Sequence, residues 1–314
     1  MAKELGLRKP DYQLDVAGDP ATDIGFLIIH CATLLQTEKP DLVCVVGDTN
    51  STLAGAIAAK RSGFKLAHIE AGLRSHDNSM PEEQNRILAD TMADLRFYVS
   101  KNSKEPQDYD RDHHQGYDYG NGNYLVGDLM EESFWHYSGS PIELDGAYQC
   151  KILADQAYNL MTIHREENTS RERLNEIVSA VGFLGIKTVW PVHPRISNLP
   201  YWDEIKKLAP GINYMESLSY LQSLFLLTNC RTVLTDSGGL YREAIWADKP
   251  VILIRTSSEF GSSYLVDTVT REAIVTKYYQ VMATSGSGAR PNQLTLGIPP
   301  SELILKAIGG YLGA

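Results

Sequence analysis

The sequence predicts an α/β protein made of two successive parallel sheets with flanking helices, and three observations predict it. Short apolar, β-branched runs alternate with longer stretches of helical composition. The alternation breaks once, in a polar stretch near residues 138–146, and then resumes. Small polar or acidic residues stand where one run after another ends. The 314 residues, 43% of them hydrophobic, suffice for about two domains with buried cores.

In order, residues 42–46 form a β-branched strand that feeds an alanine-rich helix at 49–61. A second strand at 65–69 leads through a Gly-Leu turn to a helix at 81–94, and 95–99 is a third strand. Residues 101–123 turn to Asp, Tyr, Gly, Asn and His and predict a polar loop, including His113 and His114, before a short strand at 124–126. Residues 138–146 read as an interdomain linker. The second alternation runs through a strand at 158–163, a helix at 171–184, a strand at 188–192, a helix at 218–228, a strand at 232–235, a helix at 239–247 and a strand at 250–254. A Gly, Pro, Ser and Asn-rich connection, 285–300, precedes a last helix at 301–312. The expected division is a Rossmann-like domain at 1–145 and a second at 146–300. Such a pair implies a cleft, with ligands beyond the carboxyl ends of the strands.

Net charge is −10, so the chain offers no broad basic surface for nucleic acid or an anionic membrane. A small anionic ligand stays open, because a helix N-terminus and a few local donors can hold a diphosphate. Cys31, Cys44, Cys150 and Cys230 are widely spaced, form no C-x-x-C pair, and are expected as buried thiols. Residues 1–10 lack a signal-peptide core and no later segment reads as a membrane span, so a cytoplasmic protein is expected.

Asp48 follows the first strand in Gly47-Asp48-Thr49-Asn50-Ser51, where it either caps the helix or faces a ligand. Glu70 ends the second strand and Glu82 opens the next helix, so three carboxylates are expected on one rim. Crowding separates their proton affinities, which suits acid and base roles; the structural alternatives are a Glu70–Arg74 pair and a dipole-complementing Glu82. His164 and His193 each follow a strand of the second domain, where an imidazole donates to phosphate, moves a proton or is merely structural. No metal is expected, since no third histidine or carboxylate cluster accompanies them at ligand spacing. In Thr235-Asp236-Ser237-Gly238-Gly239-Leu240 the glycines permit close approach of a diphosphate to a helix N-terminus. Ser237 supplies a donor and Glu243 an acceptor for ribose hydroxyls; simple turn geometry is the alternative.

Together these motifs resemble the non-hydrolysing UDP-N-acetylglucosamine 2-epimerases. The match runs through Gly47 to Thr52, His68 to Arg74, Pro81-Glu82-Glu83 with Asn85-Arg86, His164-Arg165, Pro191 to Pro194, and Asp236 to Gly239 with Glu243. The resemblance implies a fold of the glycosyltransferase-B type whose last helix, 301–314, returns to the first domain. It implies catalytic roles for Asp48, Glu70, Glu82 and His164, and substrate or UDP contacts for Arg74, Arg86, Arg165, His193, Ser237, Gly238, Gly239 and Glu243. It further implies a UDP-sugar substrate, no cofactor, and a homodimer.

The chain also departs from the family pattern. The opening strand and Gly-Thr-Arg-Pro-Glu loop are not matched, Glu166 replaces a second arginine, and Phe260 falls where the Thr-Glu-Arg-Pro segment has its arginine. Tyr241-Arg242-Glu243 replaces Gln-Glu-Glu, and no Gly-Asp-Gly is recognisable between residues 285 and 300. Fewer cations weaken a diphosphate site unless Arg242, Lys249 or a companion chain that supplies the strand compensates. The expected reaction is interconversion of UDP-N-acetylglucosamine and UDP-N-acetylmannosamine. The alternatives are a hydrolysing epimerase, a glycosyltransferase on the same fold, and a sugar-nucleotide-binding paralogue of impaired activity.

Overall fold

The protein is described by a computed structural model covering residues 4–16, 18–100, 120–139, 157–256, 264–284 and 296–313. His113, His114, Cys150, Phe260 and most of the expected linker lie outside the described residues. The chain divides into two compact units, 2–132 with 294–314, and 133–293 with Met1.

In the first unit, α1 (Pro20–Glu38) precedes β1 (Val43–Val46), α2 (Asn50–Arg61), β2 (Leu66–Ala71), α3 (Pro81–Met92), β3 (Leu95–Tyr98) and β4 (Asn123–Leu125). The four strands pair in sequence order and all run parallel. One face of the sheet packs on α2 and α3 through Val45, Ala56, Ala59, Leu66 and Ala89. The other is covered by the C-terminal helix, where Ile304 meets Ala67, Leu95, Phe97 and Val126. Two-sided burial explains why these parallel strands read as continuous apolar runs.

The boundary between units falls within α4 (Leu129–Tyr137). The second unit continues with β5 (Asn159–Thr162), α5 (Arg171–Leu184), β6 (Thr188–Pro191), α6 (Pro194–Ser197), α7 (Trp202–Leu208) and β7 (Ile212–Met215). It closes with α8 (Tyr220–Asn229), β8 (Thr232–Thr235), α9 (Gly238–Trp246), β9 (Val251–Leu253) and α10 (Arg271–Thr284). Its parallel sheet has the order β7-β6-β5-β8-β9, so the strand order switches to the other side of β5 at β8. A crevice at the carboxyl ends of such a pair is where open α/β sheets take ligands. The last helix is α11 (Pro300–Leu312), whose first turn is held by Glu132 through the Ser301 N–H and hydroxyl, at 2.8 and 2.6 Å.

The expected strands and helices are present, with boundaries shifted by one or two residues. Helices α1, α4, α6, α7 and α10 and strand β7 are additional to those expected. The thiols require correction: Cys230 is buried, but Cys31 is half-buried and Cys44 exposed, because Cys44 points from a part of the β1 face that no described helix covers. No helix among the described residues is long and apolar enough to cross a membrane.

The start of β2 is fastened by Asp94. Its carboxylate accepts from Lys60 Nζ at 2.9 Å and from the Leu66 N–H at 2.8 Å. Burial raises its pKa, but these donors and the Lys65 charge outweigh burial and leave it below its ordinary 3.8. A lowered carboxylate stabilises the fold fully above the ordinary value, and that stabilisation is lost as pH falls through the folded one. Asp94→Ala should lower the unfolding free energy by about 1–2 kcal/mol at neutral pH, and the gap should narrow in denaturant titrations as the pH falls below the ordinary carboxylate value.

Candidate functional site

At the carboxyl end of the first sheet the β1–α2 turn is held by side chains from three elements. The carbonyl of Val46 accepts from Thr52 Oγ1 at 2.6 Å, that of Gly47 from the His68 ring at 2.8 Å, and that of Asp48 from Asn85 Nδ2 at 2.8 Å. The cap of α2 is Thr49, whose hydroxyl accepts from the Thr52 N–H, so Asp48 is not the capping residue. Its carboxylate instead pairs with Arg86, which also reaches Glu83 at 3.0 Å. Glu83 is buried; burial raises its pKa, but the N–H groups of Ser75 and His76 and the Arg86 guanidinium outweigh that and leave it lowered.

Glu70 sits at a bulge. The β2–β3 register slips between Ile69 and Ala71, and Glu70 has φ 68°, the left-handed region. A glutamate held there costs of order 1–2 kcal/mol, and bulges re-aim a side chain that a regular strand would direct elsewhere. The carboxylate lies over Gly47, where an added Cβ would come within 3.2 Å of Oε2; with φ 70° this position requires glycine. Glu82 lies exposed in the first turn of α3, one turn before Arg86. Arg74 pairs with Asp90 at 2.6 Å and donates to the Leu73 carbonyl at 2.7 Å.

In the second unit the matching hub is Asp236, fully buried at the end of β8. It accepts from the N–H groups of His164 and Arg165, at 3.1 and 2.9 Å, and from Asn168 Nδ2 at 3.0 Å. His164 Nδ1 lies 3.3 Å from the same carboxylate, which directs its proton to Nδ1 and presents Nε2 outward. Burial lowers the His164 pKa; Asp236 opposes this, and His193, Arg165 and Arg195 reinforce it, so the ring is held below 6.5 and neutral at neutral pH. His193 lies 5.7 Å from His164 between ring centroids and caps α6 by accepting the Arg195 N–H at 3.1 Å. Arg195 in turn donates to the His164 carbonyl at 3.0 Å.

Ser237 is the N-cap of α9 and accepts the Leu240 N–H at 3.3 Å, leaving Gly238 and Gly239 in the first turn, where N–H groups have no intrahelical acceptor. A Cβ at Gly238 would meet only Arg255 Nη1 at 3.8 Å, an ordinary contact, and its φ is not positive. The fold therefore does not require glycine at 238. Glu243, one turn further, accepts from the Tyr220 hydroxyl at 2.9 Å; burial first, then the glutamate charge, push that phenol well above its ordinary value, so it stays a donor. Among the described residues no group of three or more His, Cys, Asp or Glu could hold a metal.

The chain matches the model of the UDP-N-acetylglucosamine 2-epimerases over residues 1–293. It belongs to that family. It is 35% identical to the UDP-N-acetylglucosamine 2-epimerase of Methanococcus maripaludis, covering 82% of this chain and 72% of that protein. It is 36% identical to the UDP-2,3-diacetamido-2,3-dideoxy-D-glucuronate 2-epimerase of Pseudomonas aeruginosa, covering 82% and 71%. The structure superposes on the Methanocaldococcus jannaschii UDP-GlcNAc 2-epimerase in complex with UDP-GlcNAc and UDP with TM-score 0.82, at 28% identity, over 99% of this chain and 87% of that one. The fold of this epimerase family member is α/β of the glycosyltransferase-B type, with one parallel sheet in each unit.

Strand-end reasoning reached the residues that bear the charges and missed those that hold them. Asp90, Asp236, Asn85, Asn168 and Arg195 fix the turns; Asn85 and Asp236 entered the sequence reading only within the family motifs and without this role, because their partners lie on other elements. If Glu70 is strained, Glu70→Gly should be more stable than Glu70→Ala by about 1 kcal/mol in equilibrium unfolding, reversing the order expected in an ordinary strand.

Proposed function

We propose that this epimerase interconverts UDP-N-acetylglucosamine and UDP-N-acetylmannosamine in the cytoplasm. The observation that carries the reading is the strained, bulged Glu70 beside Asp48 on one sheet rim, since strain of this kind is retained where geometry serves chemistry. The sugar C2–H has no adjacent ketone, so it becomes acidic only as the bond from C1 to the UDP oxygen breaks. One carboxylate among Asp48, Glu70 and Glu82 takes the C2 proton as UDP leaves, giving a C1–C2 double bond. UDP then returns to C1 while a proton is delivered to the opposite face of C2.

Arg86 orients Asp48, and Arg74 acts through the loop after Glu70. In the second unit the first turn of α9 holds the diphosphate through backbone N–H groups, with Ser237, His164, Arg165 and His193 around it and Glu243 toward the ribose. An anion arriving beside neutral His164 favours its protonation, which adds a donor where charge builds on the leaving group. The β1 edge, which no strand among the described residues pairs, with Val46 and Cys44 exposed and Ile29 of α1 65% exposed, supports completion of the first sheet by a further strand, from a companion chain among other sources. A homodimer rests on the family resemblance.

Incubation with UDP-N-acetylglucosamine in deuterated water should give deuterium at C2 together with UDP-N-acetylmannosamine. Asp48→Asn, Glu70→Gln and Glu82→Gln should each lower kcat by about a hundredfold or more while leaving UDP affinity within about twofold. Free N-acetylmannosamine would assign hydrolysis instead, an acceptor requirement a transferase, and UDP binding without exchange an inactive paralogue. Exchange only with the diacetamido uronate would change the sugar and keep the mechanism.

Because the fold tolerates a Cβ at 238 and a close-lying diphosphate would not, Gly238→Ala should leave the thermal midpoint within a degree or two and weaken UDP binding by about tenfold or more. A large loss of stability with unchanged affinity would give the glycine a purely structural role.

A further inference from the structure

Beneath the rim of the first sheet lies a buried pair to which the reaction above assigns no part. His68 is wholly buried and Asp90 nearly so. The ring Nδ1 is 2.6 Å from Asp90 Oδ1, and Nε2 is 2.8 Å from the Gly47 carbonyl oxygen. A carbonyl oxygen only accepts, so Nε2 carries a proton. The other oxygen of Asp90 accepts from the Gly72 N–H at 3.1 Å and from the Arg74 guanidinium at 2.6 Å. Donors on both oxygens favour the ionised carboxylate, and burial does not overcome them. An ionised carboxylate has no proton to give, so Nδ1 carries one as well. The ring holds two protons and a positive charge.

We propose that His68 and Asp90 form a buried imidazolium–carboxylate pair that positions Asp48 and Glu70 for proton transfer, an inference that rests on the reading of that rim as the reacting centre. Asp90 grips the chain on both sides of Glu70, at His68 two residues before it and at Gly72 two residues after. Through His68 it also pins the carbonyl of Gly47, over which the Glu70 carboxylate lies. Arg96 Nε donates to the backbone carbonyl of Asp90 at 2.6 Å and fixes the helix end from the side of β3. The bulge at Glu70 thus has a specific restraint on each flank. A neutral ring would keep the bond to Gly47 and lose the ionic link to Asp90. The imidazolium also sets a positive charge beneath two neighbouring carboxylates, which offsets their mutual repulsion. His68 and Asp90 are positioning residues, since they act through Gly47, Gly72 and Glu70.

The test is a ring-nitrogen NMR spectrum of the histidine-labelled protein, combined with UDP titration and turnover of Asp90→Asn. In the wild type at neutral pH, His68 should show two ring N–H protons, one to each of its acceptors. In Asp90→Asn it should show one, with UDP affinity within about twofold and kcat lowered at least about tenfold at little change in KM. A merely structural role would lower stability without changing the proton count. A single ring proton in the wild type overturns the proposal without recourse to a variant, and so does Asp90→Asn with an unaltered ring or unaltered kcat. Absence of C2 exchange in the wild type would sink the reaction reading separately, and the proton count would still decide whether the charged pair exists.

Discussion

A carboxylate buried where a strand ends must be surrounded by donors, and in both units the nearest donors belong to the loop that carries the candidate chemistry. Asp236 is saturated by the N–H groups of His164 and Arg165 and by Asn168. Asp90 is saturated by the Gly72 N–H, the His68 ring and the Arg74 guanidinium. A buried charge left without partners costs several kcal/mol, so neither loop can leave its hub without a large penalty. The rigidity of the two rims therefore follows from burial of charge, with little help from the length or composition of the loops.

Much of the fold was legible because both sheets are buried on two faces. The β8 run, Thr232–Thr235, and the helix Arg171–Leu184 coincide with their sequence readings because apolar runs and caps agree there. Helix α1 was not legible: its apolar residues fall on nearly every side, and the helical period is lost. Strand β7 failed for the opposite reason, since Ile-Asn-Tyr-Met at a sheet edge is too short and mixed to stand out. Asp48 and Glu70 could be found by the strand-end rule. Asp236 could not be assigned its role, because its partners lie about 70 residues away in sequence and meet it only through the β5–β8 pairing.

Two glycines with similar sequence settings turn out to obey different demands. Gly47 is required by its own chain, through a positive φ and a glutamate carboxylate in the space a methyl group would fill. Gly238 has room for a methyl group and an unexceptional backbone, so its own chain does not demand it. Only coordinates separate the two cases, since strand, glycine and helix follow one another in both.

The placement of α11 bears on how the protein is made. The second unit is one continuous segment, whereas the first is assembled from both sides of it, with Ile304 completing the core around Phe97 and Glu132 holding the start of α11. On a ribosome, the unit that begins first is the one that finishes last. Its sheet must wait, with one face bare, through synthesis of the entire second unit, which gives a holding chaperone a defined interval and a defined apolar surface to protect.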